Sequence, residues 1–208
     1  MKVLSVAKLS LPEVKVIRFA RFCDERGYFT EHFRPSDLSG FPELHDLTSA
    51  PIAQCNEAFS HAGTLRGFHV QWQPRMGKLV RPISGRLVDF ALDLRAGSPD
   101  FGKVVGYDLP TVRERDFAEW IWIPPGFAHC TLLPEETLIE YFCTAAWNPE
   151  CEASISPLSP DLDFSLCEPT LRTLYADCLC QGPVLSAKDR AAVSLSEWKK
   201  DPRASLVE

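Results

Sequence analysis

The 208-residue chain has no run approaching the roughly 18 uncharged apolar residues that a bilayer span requires. Its start, MKVLSVAKLSLPEV, has too short an apolar core for a secretory leader, so a cytoplasmic protein is expected. Excess positive charge is also missing: 22 Lys and Arg against 28 Asp and Glu leave a net charge of −6. That balance argues against a nucleic-acid surface but allows a local basic pocket for an anionic ligand. No C-x-x-C pair occurs among the eight cysteines, and Cys178 and Cys180 form only a C-x-C. Paired-cysteine zinc sites are therefore excluded, and a disulfide framework belongs to shorter secreted chains. The thiols read as reduced, several of them buried as small apolar groups. The absence of any 20–50-residue repeat argues against propellers and solenoids. Helical periodicity is scarce before 186–200, where a small terminal helix is expected.

What is present is 45% apolar and 11% aromatic residues, enough for one soluble domain spanning 1–208. Its core is expected at about 10–150, with 151–208 packing on it and 157–183 loop-like. Seventeen prolines and eleven glycines punctuate short runs of Val, Ile, Leu, Phe and Trp. This rhythm predicts an all-β sandwich or barrel, with strands at 14–19, 27–33, 64–71, 78–83, 86–94, 104–108, 119–123, 130–133 and 138–145. Ser84-Gly85 reads as a hairpin turn. In 86–94, Val88, Phe90 and Leu92 face opposite to Leu87, Asp89 and Asp93, which puts two carboxylates on one strand face.

Only five histidines need weighing. His32, His45 and His61 lie near strand ends or in loops and read as ordinary satisfied histidines. His69 sits in Leu65-Arg66-Gly67-Phe68-His69-Val70-Gln71, and His129 follows Pro124-Pro125-Gly126-Phe127-Ala128. Alternation sends Arg66 and His69 to opposite faces of an ideal strand unless Gly67 permits a bulge. Taken alone, Asp189 is a helix-start residue, Tyr141 a sheet aromatic and Lys78 a solvated charge.

The two histidine segments resemble the paired motifs of the cupin superfamily, jelly rolls with a ligand cavity inside the barrel. Metal-binding cupins carry His-x-His, a glutamate and a later histidine. Here Gln71 takes the second histidine's place and no glutamate follows before the turn glycine, so no metal is expected.

Further stretches narrow the resemblance: Asp24-Glu25-Arg26-Gly27-Tyr28-Phe29-Thr30-Glu31, Gln54-Cys55-Asn56, Leu65-Arg66-Gly67-Phe68-His69, Gly77-Lys78-Leu79-Val80, Val88-Asp89, Asp93-Leu94-Arg95, Ile123-Pro124-Pro125-Gly126-Phe127-Ala128-His129, Tyr141 and Leu185-Ser186-Ala187-Lys188-Asp189. In this order they resemble the dTDP-4-dehydrorhamnose 3,5-epimerases and relatives acting on other nucleotide-linked keto-sugars. The resemblance implies epimerisation at C3, C5 or both of a nucleotide-linked, preferably dTDP-linked, 4-keto-6-deoxysugar, with no cofactor. It assigns His69 as base, Asp189 as its carboxylate partner, Tyr141 as acid on the other face and Lys78 as the cation offsetting enolate charge. It assigns Arg26 and Arg66 to the phosphates, places Phe29, Glu31, Gln54 and Asn56 at the nucleotide, and includes Asp89 and His129 among the substrate contacts. Trp147 stands where relatives commonly have a stacking tyrosine. A homodimer is implied, the first strand segment reaching in from the neighbouring subunit.

The resemblance is incomplete at Ser156-Pro157-Leu158-Ser159-Pro160, at Cys130, and at Gln71-Trp72-Gln73-Pro74-Arg75-Met76, which bears on the sugar-facing wall. The alternatives are a monofunctional 3- or 5-epimerase, a 3,4-ketoisomerase and a non-catalytic nucleotide-sugar binder.

Overall fold

Short β-branched and aromatic runs bounded by proline and glycine pair into strands wherever both faces find an apolar partner. The computed structural model describes residues 2–208. Its strands are β1 Val3–Lys8, β2 Lys15–Ala20, β3 Phe22–Asp24, β4 Gly27–Phe29, β5 Gln54–Ser60, β6 Thr64–Gln71, β7 Lys78–Ser84, β8 Arg86–Asp93, β9 Val104–Pro110, β10 Phe117–Ile123, β11 Phe127–Leu133, β12 Thr137–Cys143 and β13 Glu152–Ile155. Six form a sheet in the order β1-β2-β10-β7-β12-β5, and five form a second in the order β13-β6-β11-β8-β9. All their pairings are antiparallel, while β3 and β4 make a separate hairpin.

The sheets stack as the expected cupin sandwich. Between them, Val80, Ile121 and Ile139 of the six-stranded sheet meet Leu87, Ala91, Val105 and Phe127 of the five-stranded sheet. The outer faces are covered too. Val88, Phe90 and Leu92 pack under Leu171, Tyr175, Leu195 and Trp198 from the C-terminal segment. Phe19, Trp120 and Trp122 pack under Leu38, Leu44 and Leu47. Burial on both faces explains why β8 reads as a nearly unbroken apolar run.

Several local expectations are corrected. Ser84-Gly85 is no hairpin: β7 and β8 lie in different sheets, and the turn carries the chain across the sandwich. Gly85 has φ +81, and a Cβ there would lie 2.3 Å from the Glu136 carbonyl oxygen, so the crossing requires glycine. The 157–183 stretch is not all loop. It contains a 13-residue helix, Pro169–Gln181, with proline in its first turn and Gly182 left-handed at its end. The single helix expected at 186–200 is two one-turn helices, Ala187–Arg190 and Leu195–Trp198, each capped by a serine. The strand expected over 27–33 stops at Phe29. β1 and β5 were not anticipated, nor were the short turns Pro35–Leu38 and His45–Thr48.

Candidate active site

The functional geometry begins with an irregularity in β6. Along β11 His129 and Thr131 are two positions apart, yet their partners on β6, His69 and Arg66, are three positions apart. The extra residue is the bulge that Gly67 permits, and it brings Arg66 and His69 to the same inner face. Gly67 serves a second purpose. A Cβ on it would lie 2.7 Å from Asp189 Oδ1, so the missing side chain is the space in which that carboxylate sits.

His69 Nε2 donates to Asp189 Oδ1 at 2.7 Å. Asp189 is also held by its own helix turn: the Ser186 hydroxyl donates to Oδ2 at 2.8 Å and accepts the Asp189 N–H at 3.0 Å. Burial opposes ionisation of Asp189, but hydrogen bonds from His69, Ser186 and the Gly67 backbone outweigh it and hold the pKa below the usual carboxylate value. With Nε2–H directed at Asp189, Nδ1 is the ring nitrogen left to take a proton.

His69 lines a cavity of about 300 Å³ whose other walls include Gln54, Asn56, Gln71, Met76, Lys78, Tyr141, Cys143, Trp147 and Glu152. It comes from the five-stranded sheet, whereas Lys78 and Tyr141 come from neighbouring strands of the six-stranded sheet. The pair and the two residues proposed to act with it therefore stand on opposing layers. Among the described residues the Lys78 ammonium has no hydrogen-bond or ion-pair partner, although its backbone pairs with Ile123 and Cys143 in the neighbouring strands. Burial lowers its pKa, while the nearby carboxylates of Glu152 and Asp89 favour the cation. Tyr141 lies opposite Asn56 in the β12–β5 ladder. Burial raises its pKa, against the pull of Arg66 and a hydrogen bond from Asn56, so the phenol stays protonated at rest.

His129 and Asp89 sit behind this cavity on the same inner face. His129 Nε2 is 2.8 Å from Asp89 Oδ1, and both side chains are buried. Burial depresses the His129 pKa, and Asp89 only partly offsets this. Gln54 accepts from the Trp147 backbone N–H at 2.9 Å and donates to Asn56 Oδ1 at 2.9 Å, tying the mouth of the cavity together. The Trp147 indole is largely exposed there, and its Nε1 donates to Glu152 Oε2 at 3.3 Å. Glu152 also pairs with Lys188.

Three predicted contacts do not meet the rest within the protomer. Arg26, Phe29 and Glu31 lie on or just beyond the exposed β3–β4 hairpin and do not line the cavity. Arg26 is occupied with Asp24 at 2.5 Å, and Glu31 with Arg34. Arg66 reaches the inner face but donates to Ser60 Oγ and the Phe59 carbonyl, both at 3.1 Å.

The departures from the family pattern also find places. Gln71 donates to the Pro74 and Ala146 carbonyls at 2.8 and 3.0 Å and accepts from Asn148 N–H at 2.8 Å, so its amide pins two loops. Cys130 is in the core near Tyr175 and Cys178, not at the mouth. Ser159 accepts the Leu195 N–H at 2.9 Å, and Pro157 accepts from Tyr175 at 2.7 Å, so the altered loop seams the C-terminal helices to the sheet. Cys143 and Glu152 do not stand out in the sequence, and Met76 does so only as part of the divergent loop 71–76. Beyond that, their only signal was proximity to Lys78, Tyr141 and Trp147 along the chain or across a ladder.

A cupin sandwich thus sets a His–Asp pair on one wall of the cavity and an unpaired Lys with a protonated Tyr on the other, an arrangement able to move protons between two faces of a ligand. The family model described as dTDP-4-dehydrorhamnose 3,5-epimerase matches residues 8–197, and the chain belongs to that family. The dTDP-4-dehydrorhamnose 3,5-epimerase of Sinorhizobium fredii is 36% identical over 192 residues, covering 91% of this chain and 88% of that protein. The Neisseria gonorrhoeae protein of the same description is 33% identical over 198 residues, covering 95% of this chain and 54% of that longer protein. A Legionella pneumophila dTDP-6-deoxy-D-glucose-3,5-epimerase solved with dTDP-4-keto-L-rhamnose superposes with a TM-score of 0.76 at 33% identity, covering 98% of this chain and 96% of that one.

Proposed function

We propose that this isomerase epimerises C3, C5 or both of a dTDP-linked 4-keto-6-deoxysugar without a cofactor. The observation that carries the reading is the His69–Asp189 pair at 2.7 Å on one cavity wall, facing Lys78 and Tyr141 on the other. A ketone at C4 acidifies the hydrogens on C3 and C5. His69 Nδ1 accepts one of them, and Asp189 fixes the tautomer and stabilises the imidazolium that forms. The electron pair moves onto the C4 oxygen as an enolate. Lys78 supplies the compensating cation in a partly desolvated site, a contribution of about 3 kcal/mol to such a transition state. Tyr141 then donates its phenolic proton to carbon from the opposite side, inverting the centre, and solvent resets the pair by returning a proton to the phenolate and taking the abstracted one from the His69 imidazolium.

Around this centre, Gln54, Asn56, Arg66 and Trp147 bind the nucleotide and its phosphates, and His129 with Asp89 bounds the sugar end. Arg26, Phe29 and Glu31 complete the site of a second copy, which makes the protein a homodimer; the support for this is that the exposed segment carrying them does not line the cavity of its own protomer. Residues 1–208 act as one catalytic unit, because the C-terminal segment supplies Asp189. Eight free thiols suit a reducing cytoplasm.

The test is incubation with dTDP-4-keto-6-deoxyglucose in deuterium oxide, following the C3 and C5 proton signals by NMR. Exchange at one or both positions, abolished in His69→Ala while dTDP still binds, is the expected result. Persistent exchange in that variant would overturn the assignment of the base.

A further inference from the structure

The wall of the cavity is chemically uneven. Gln54, Asn56, His69, Gln71, Lys78 and Glu152 present amides, an imidazole and charges. Met76 and Cys143 stand apart: with Ala145 they form a small apolar cluster of their own, separate from the main cores, and Tyr141 packs against it. Met76 is 8% exposed and Cys143 1%. Cys143 is opposite Lys78 in the β7–β12 ladder, yet burial raises its pKa against the influence of Lys78, so the thiol is neutral and behaves as a small apolar group. Its sulfur already accepts from Asn56 Nδ2 at 3.7 Å.

The ring of a 4-keto-6-deoxysugar carries hydroxyls, a ketone and one apolar substituent, the C6 methyl on C5. We propose that Met76 and Cys143 form the subsite that receives this methyl and so select 6-deoxysugars. The inference rests on the function proposed above and adds the residues that read the substituent at C5. Seating the methyl there sets C5 next to Tyr141, which shares the cluster, so the contact that selects the sugar also orients the carbon to be protonated. Met76 belongs to the loop that departs from the family pattern, and its flexible thioether fits such a recess.

The test compares dTDP-4-keto-6-deoxyglucose with the dTDP-linked 4-ketopentose that lacks only C6. C3 exchange is read as kcat/KM, and affinity is read by calorimetry. The wild-type protein is expected to favour the methyl-bearing sugar about tenfold, the usual effect of one carbon in an apolar pocket. In Met76→Ala this preference falls to about twofold, with affinity for dTDP itself unchanged. Met76→Gln, which fills the recess with an amide, is expected to remove it as well. Preference retained at the wild-type ratio in both variants overturns the proposal, whatever their absolute rates, because the ratio is taken within one protein. Should neither sugar exchange, the catalytic reading fails, and the affinity ratio by calorimetry still decides the methyl subsite.

Discussion

At the scale of single residues, the site turns on a missing side chain. Asp189 reaches His69 through the space above Gly67, and the bulge at that glycine aligns Arg66 with His69. Gly67→Ala would place a methyl 2.7 Å from Asp189 Oδ1 and 3.1 Å from Pro157 Cδ, so the carboxylate must withdraw. The expected outcome is a fall of about 100-fold in kcat/KM for C–H exchange with dTDP affinity within threefold of wild type, measured by NMR and calorimetry. Asp189→Asn is expected to cost at least as much by the same measurements, because an amide cannot stabilise the imidazolium. The residues were legible but their meeting was not. Strict alternation separates Arg66 from His69, and nothing local in 186–189 indicates that a helix-start aspartate abandons solvent for a histidine on β6. The period of two, by contrast, does place Asp89 opposite Val88, Phe90 and Leu92, but because both faces of β8 are buried it does not say which of them turns inward.

Among elements, the strands that pack on both faces were the easiest to read, since continuous apolar runs leave few other options. The helix at 169–181 was hidden because its sequence, PTLRTLYADCLCQ, buries only Leu171 and Tyr175 and has almost no amphipathic stripe. Its boundaries were nonetheless written in Pro169 and Gly182. The Gly182 residue has φ +79 and open space where a Cβ would be, so Gly182→Ala isolates the backbone cost. A loss of about 1 kcal/mol in urea unfolding, with activity intact, is expected.

A second element-level device is the packing of the segment after β4 onto the six-stranded sheet. His32 lies edge-on to Phe19 and Trp120, and Arg81 Nη1 donates to its Nε2 at 2.9 Å. An arginine can only donate, so the histidine is neutral; burial, with the Arg81 charge adding to it, lowers its pKa from 6.5 to about 4. Between these values the unfolded chain binds the additional proton, so stability rises with pH. The contribution is complete above 6.5 and disappears as the pH falls through about 4. Thermal unfolding temperature is therefore expected to drop more steeply from pH 7 to pH 4 in the wild type than in His32→Gln. Equal slopes would show that this histidine does not titrate on unfolding.

For the molecule as a whole, one protomer holds the proposed acid–base centre around His69 and displays, on a hairpin that does not line its own cavity, an arginine and a phenylalanine suited to a phosphate and a base. The family resemblance already implied that the first strand segment reaches into a neighbouring subunit, and in the protomer Arg26 and Phe29 indeed stand away from the cavity that His69 lines. If the hairpin completes the neighbouring site, two inactive proteins can repair one another. His69→Ala keeps a sound hairpin, and the double variant Arg26→Ala with Phe29→Ala keeps a sound centre. After dissociation and reassociation in equal amounts, half the dimers are mixed, and each mixed dimer has one site with every residue intact. About a quarter of wild-type exchange activity should return, since a two-fold assembly builds its two sites independently. Mixing without dissociation supplies the baseline. If activity stays at that baseline although mixed dimers are verified by native mass spectrometry, each protomer completes its own site and the hairpin has another purpose.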